Sequence, residues 1–199
     1  MRSSNACTPK PPGLSYSPET NAPDGRPGAT RSTVHNFAEQ LAFSEKASEE
    51  PFWDAVYRKA FPNLVNHMLA SGDVKSQRMG VDRVLFLANG KTLYIDEKKR
   101  REIYTDVLLE YVSVDTTSAP GWIEKDLAID YLAYAFMPLQ RVYLYPWPML
   151  RRAWLHFKSD WLQKYKIPPA QNKGYKTLSV AIPVEILRKA VSTAAIIQL

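Results

Sequence analysis

The chain has 199 residues, a formal charge of +6 and one cysteine, Cys7, which excludes an internal disulfide and any cysteine-based zinc or iron–sulfur site. No run approaches the roughly 18 uncharged apolar residues of a membrane span, and residues 1–13 lack the apolar block of a signal peptide. A soluble cytoplasmic protein is expected, of one domain or of one domain with a tail.

The charge is unevenly placed. Residues 1–123 carry 15 basic and 15 acidic side chains, whereas residues 124–199 carry 11 and 5. An excess gathered on one part of a chain is the footprint of a polyanionic partner, although many proteins that bind no nucleic acid share it.

In chain order, residues 1–34 hold six prolines and three glycines among Ser, Thr and Asn, with little apolar material to offset ordering entropy. They read as a disordered arm, and residues 35–199 as a single domain. Phe37, Leu41 and Phe43 suit a short helix. Pro51 stands at a helix start, followed by Phe52, Val56, Tyr57 and Ala60 at spacings of three and four. Pro62 is expected to open a further helical segment with Leu64, Val65 and Met68, ending at Ser71-Gly72.

Two strand-like runs follow, 79–87 and 92–98, joined through Asn89-Gly90, a strong hairpin signal. A third run, 106–114, reads as a strand bordering the second. After Pro120-Gly121, runs 127–136 and 141–145 are rich in Tyr, Leu and Val. Residues 149–165 read as a helix with Leu150, Trp154, Phe157 and Trp161 on one face, residues 177–182 as a strand and 184–191 as a last helix. The pattern is α/β or α+β, with a central mixed β-sheet flanked by helices.

Ionisable residues interrupt this apolar pattern at the hairpin. Asp82 opens the first strand, and Asp96-Glu97-Lys98 lies near the end of the second. A two-residue turn at Asn89-Gly90 pairs Leu87 with Thr92 and Asp82 with Glu97. A three-residue turn, with Gly90 left-handed in a bulge, pairs Leu87 with Lys91 and Asp82 with Asp96. The second register is preferred, because it gathers Val81, Leu85, Leu87, Leu93 and Ile95 on one aliphatic face. Opposed carboxylates repel unless something positive lies between them, and a hard divalent cation or the Lys98 ammonium would relieve the repulsion. Mg²⁺ or Mn²⁺ suits such a pair, which points to metal-assisted phosphodiester hydrolysis.

An acid at the start of one strand, a hairpin, then acid–x–Lys on the next resembles the PD-(D/E)xK nuclease superfamily. The residues Gln77–Arg83, Ile95–Lys98, Asp106–Glu110 and Gly121-Trp122 resemble small nuclease-like proteins of phages and mobile elements. The resemblance covers roughly residues 50–165. It implies a restriction-endonuclease-like core, Asp82, Asp96 and Lys98 as the catalytic cluster, Asp82 and Asp96 as ligands of Mg²⁺ or Mn²⁺, and DNA as substrate. Many enzymes of this fold that cut both strands are dimers, so a homodimer is one expected assembly.

The chain departs from the family pattern in two places. No Pro precedes Asp82, and the middle residue of the D-x-K triplet, usually apolar, is Glu97. Glu97 and Lys99 therefore form a second frame, tied to the two-residue turn. A helical acid often completes the superfamily's metal site, and Glu49, Glu50 and Asp54 are candidates. Glu110 could face the site from the third strand or be a rim carboxylate. Gln77 could touch nucleic acid.

Lys99, Arg100 and Arg101 form either a phosphate contact or a plain solvated strand end. Arg151 and Arg152, with Lys158, Lys164 and Lys166, suit a phosphate-facing surface. The helical spacing of Trp154, Phe157 and Trp161 favours core packing over base stacking. His35, His67 and His156 are too scattered for a zinc site. Two other functions fit the same residues: a catalytically inactive nuclease-fold factor that binds DNA or protein, and an unrelated α+β interaction protein with a solvated Asp/Lys cluster.

Overall fold

The computed structural model describes residues 49–70 and 79–199. The expected N-terminal arm, the helix near Phe37–Phe43 and Gln77 lie outside the described residues.

Helix α1, Glu50–Ala60, starts as expected, with Pro51 and the Glu50 carboxylate in its first turn and Arg58 and Lys59 in its last. Its buried face is Trp53, Val56 and Tyr57. The segment after Pro62 is not a helix. It is strand β1, Leu64–Leu69, antiparallel to β2, Arg83–Leu87. Leu64, Val65 and Met68 fit both periods over so short a run, and pairing along the free edge of β2 selects the strand.

β2 turns into β3, Thr92–Arg100. The chain then leaves this sheet. β4, Asp106–Val114, does not border β3 as the sequence suggested; it joins a second sheet, pairing with β5, Ala119–Pro120, and with β9, Lys176–Pro183. Strand β6, Tyr131–Phe136, returns to the first sheet and runs parallel to β3, followed by β7, Arg141–Pro146. Helix α2, Trp147–Lys164, leads to β8, Pro169–Gln171, which pairs with β9. Helix α3, Val184–Ala190, and β10, Ala195–Gln198, complete the described chain. The first sheet has the order β1-β2-β3-β6-β7-β10 and the second β5-β4-β9-β8. The protein is thus mixed α/β, with a mixed sheet and three helices among the described residues.

The central strands β6 and β7 are apolar on both faces, as strands of a covered sheet must be. One face carries Leu85, Leu93, Ile95, Ala133, Ala135, Val142 and Leu144 against Trp53, Val56 and Tyr57 of α1. The other carries Leu132, Tyr134, Phe136, Tyr143 and Tyr145 against Val107 and Leu109 of β4, Val180 and Ile182 of β9, and Leu150 and Trp154 of α2. At Gly121 the chain crosses β4 so closely that an added Cβ would lie 2.2 Å from the Glu110 carbonyl oxygen. That crossing seats a short 3-10 turn, Trp122–Glu124, beside β3 and α2.

Candidate functional site

The hairpin turn decides which charged groups meet. Arg83 lies opposite Ile95, Val84 opposite Tyr94, Leu85 opposite Leu93 and Phe86 opposite Thr92. The Leu87 N–H donates to the Lys91 carbonyl and the Gly90 N–H to the Leu87 carbonyl, both at 2.9 Å, with Gly90 at φ +79°. This is the three-residue turn with a left-handed glycine. The ladder ends at Arg83 and Ile95; just before it the Asp82 N–H donates to the Ile95 carbonyl at 2.8 Å, and the Asp82 side chain reaches Asp96. Sheet alternation then separates two sets of side chains. Val84, Phe86, Tyr94, Asp96 and Lys98 share one face, and Arg83, Leu85, Leu93, Ile95, Glu97 and Lys99 share the other; Asp82, just before β2, stands near both Asp96 and Glu97.

On the first face Asp96 is 2% exposed. Burial pushes its carboxyl up to about 7; the Lys98 ammonium opposes that rise, and the Asp82 carboxylate, within hydrogen-bonding reach, adds to it. The Lys98 ammonium donates to Asp96 Oδ1 and lies 6.0 Å from the centre of the Trp122 ring. Asp82 Oδ2 accepts the Glu97 N–H at 3.0 Å, which holds the first acid across the hairpin.

On the second face the centre is Arg83, 1% exposed. Its Nε donates to Glu97 Oε1 at 2.6 Å, its Nη1 to Glu50 Oε1 at 2.6 Å and its Nη2 to Glu50 Oε2 at 3.1 Å. The Tyr57 hydroxyl donates to the same Glu97 oxygen at 2.8 Å. His67 bridges the network to α1, with Nδ1 3.0 Å from Arg83 Nη1 and Nε2 2.9 Å from Asp54 Oδ1. Burial raises the Glu97 carboxyl, and the Arg83 guanidinium works against that rise. Lys99 donates to Glu49 Oε2 at 2.5 Å. Glu49, Asp82, Arg83, Glu97 and Lys99 line a cavity of about 50 Å³, room for a few water molecules at most.

The two frames that the D-E-K-K run leaves open therefore have different environments. Glu97 is already matched by a buried guanidinium and a phenol. Asp96 faces a second carboxylate and has one ammonium as its counter-charge. The three candidate acids at and just before α1 are not equivalent either: Glu50 and Asp54 belong to the Arg83–His67 network, and Glu49, at the N-cap, pairs with Lys99. Arg83 itself is not singled out by the sequence. The register contains its signal, a cation standing two residues before Leu85 on an otherwise aliphatic face.

The remaining candidates are dispersed. Glu110 is half-buried on β4, opposite Ser179 of the second sheet. Arg100 pairs with Asp106 at 3.6 Å and its guanidinium lies 3.6 Å from the centre of the Tyr104 ring, so it braces the end of β3 rather than projecting into solvent. Arg101 and Arg152 are exposed. Arg151 donates to the Glu124 carbonyl at 2.9 Å, and Lys158 pairs with the Glu124 carboxylate at 2.5 Å, so these two cations anchor the 3-10 turn to α2. Trp147, Trp154 and Trp161 are core residues.

Among the described residues no three His, Cys, Asp or Glu side chains are grouped so as to hold a metal ion. The Asp82–Asp96 pair nevertheless fits a hard divalent cation of the Mg²⁺ class, which is satisfied by one or two carboxylates with water and phosphate. Both potential ligands are oxygen donors; burial is the main reason the Asp96 carboxyl is raised, and the neighbouring Asp82 carboxylate adds to it. Among the described residues no helix is long and apolar enough to cross a membrane. No family model, curated protein or solved structure matches the chain.

Proposed function

We propose that the chain is a metal-dependent phosphodiesterase acting on DNA, built on a restriction-endonuclease-like core of the kind found in phages and mobile elements. The observation that carries this reading is the contact of the Asp82 and Asp96 side chains, with the Lys98 ammonium on Asp96. The surroundings support it. β1, β2 and β3 form an antiparallel meander and β6 lies parallel to β3, with the first acid at the start of β2 and acid–x–Lys on β3.

In this reading Asp82 and Asp96 hold the cation, Mg²⁺ or Mn²⁺, which supplies Lewis acidity toward a phosphoryl oxygen. The Glu97 N–H fixes the Asp82 carboxylate, so one ligand is oriented before substrate arrives. Lys98, anchored on Asp96 and half-exposed, presents a fixed positive charge where negative charge develops during phosphodiester cleavage. Arg83 works at one remove: it occupies Glu97 and keeps a third carboxylate from competing for the cation.

Asp96→Ala and Lys98→Ala are each expected to lower Mg²⁺-dependent cleavage of DNA by at least a hundredfold, with the circular dichroism spectrum retained. Undiminished cleavage by both variants would refute the assignment. The ion pair that satisfies Asp96 internally favours a second reading, a nuclease-fold protein that binds DNA without cutting it. Calorimetric titration with Mn²⁺ separates the two: carboxylate-dependent binding supports the enzyme, and its absence supports the accessory factor.

A further inference from the structure

The face of the first sheet that carries the acid pair is covered at one end only. Towards β6 it lies under Trp122 and the second sheet. Towards the hairpin turn it is open, and large apolar side chains stand there: Met68 is 54% exposed, Phe86 37% and Tyr94 43%. Register places them in order on one face. Met68, Val84 and Tyr94 form one row, two residues along β3 from Asp96, and Asn66, Phe86 and Thr92 the row after.

We propose that this open strip is a stacking platform for unpaired nucleotides flanking the phosphate held at Asp82, Asp96 and Lys98; the inference rests on the phosphodiesterase reading and specifies its substrate. Tyr94 lies two residues from Asp96, about 6.6 Å along the strand. Stacked nucleotides advance about 3.4 Å each, so the ring lies within about two nucleotides of the acid pair. Its backbone is fixed on both sides, since the Tyr94 N–H donates to the Asp130 carboxylate at 2.8 Å and the Tyr94 carbonyl accepts the Asp130 N–H at 2.8 Å. A rigid ring of this kind stacks on a base with little entropic cost.

The shape of the strip argues for bases over a protein partner. Three apolar side chains interrupted by Asn66 and Thr92 fall well short of the roughly 800 Å² per partner that a stable protein interface needs. A base needs only one ring face. Intact duplex, whose bases are covered by their neighbours, gains nothing from Tyr94 or Phe86. Exposed Lys91 at the turn and half-exposed Lys98 beyond the acid pair bracket the aromatic residues along β3 and match a phosphate backbone running over them.

The test compares binding and cleavage of intact duplex, the same duplex with a short single-stranded gap, and a single strand. The full chain is used with Tyr94→Ala/Phe86→Ala and Tyr94→Phe variants; both side chains are exposed, so the variants are expected to fold. The expected result is tighter binding of gapped than of intact duplex by wild type. That preference should fall about fivefold or more in the double alanine variant, as loss of base–aromatic stacking implies, and survive in Tyr94→Phe. No preference in wild type, or a preference insensitive to the double substitution, overturns the proposal. Aromatic-dependent gap binding without metal-dependent cleavage leaves the platform standing and removes the enzyme. Cleavage indifferent to Tyr94 and Phe86 does the reverse. Loss of both binding and cleavage in wild type removes both.

Discussion

At the residue scale, the contrast between Asp96 and Glu97 shows how adjacent acids acquire different chemistry. Strand alternation aims them at opposite faces, where one meets a carboxylate and an ammonium and the other a guanidinium and a phenol. The consequence for Asp96 is a pH dependence of known sign. Its carboxyl is held up to about 7 in the fold, whereas the unfolded chain titrates near the ordinary 3.8. The folded state therefore binds the proton more tightly, so the stability from this group is complete below about pH 3.8 and is lost as pH rises through about 7. Asp96→Asn mimics the protonated form. In metal-free buffer its melting temperature is expected to gain on wild type as pH rises from about 4 to about 7, and to gain no more above that. Each tenfold difference in proton affinity between the folded and unfolded chain corresponds to about 1.4 kcal/mol. A difference independent of pH in thermal denaturation would contradict this account of the pair.

Arg83 belongs to the same scale. A buried guanidinium is tolerable only when its donors are matched, and Glu50, Glu97 and His67 provide that match from three different elements. None of these partners is adjacent in sequence. This is why the residue is not recognisable as a hub from the sequence, although its position on the aliphatic face is visible once the register is known.

At the element scale, the hairpin was the most legible part of the chain. Asn89-Gly90 and the alternation of Leu85, Leu87, Leu93 and Ile95 specify a turn and a register, and a one-residue slip would send the aliphatic set to the wrong face. β1 was not legible. Six residues with apolar groups at 64, 65, 68 and 69 satisfy a helix as well as an edge strand, and the preceding Pro62 reads equally as a helix start. Gly121 is a third case, a glycine whose need appears only when β4 is seen beneath it. Any Cβ there meets the Glu110 backbone, which cannot rotate away as a side chain could. Gly121→Ala is expected to cost about 1–3 kcal/mol, as other overpacked sites do, read as a lower urea midpoint with an unchanged slope. A midpoint equal to wild type would show that the turn at Trp122–Glu124 seats independently of β4.

At the scale of the whole molecule, the two sheets share one apolar layer, and Tyr134 joins them by a polar bond as well. Its hydroxyl accepts the Leu108 N–H at 3.1 Å, from the first sheet to the second. Tyr134→Phe leaves that half-buried N–H without its acceptor, at a cost of about 1 kcal/mol. Faster hydrogen exchange at Leu108 is the specific readout; unchanged exchange would mean that the sheets are held by apolar contact alone. The basic excess of the last third is also redistributed at this scale. Arg151 and Lys158, candidates for a phosphate-facing surface, are turned to Glu124 and serve the packing of α2.

The sequence by itself determined the helices at 50–60 and near 147–164, the hairpin at Asn89-Gly90 and the strand at 106–114, and it favoured the three-residue turn that the structure has. These depend on contacts between residues close in the chain, where periodicity and turn chemistry act directly. Only the tertiary structure decided that β1 is a strand, that β4 leaves β3 for a second sheet and lets β6 take the place beside it, and that buried Arg83 is matched by Glu50, Glu97 and His67. Each of those outcomes depends on which distant surface is free to pair or to bury a charge, a quantity that no local window of residues contains.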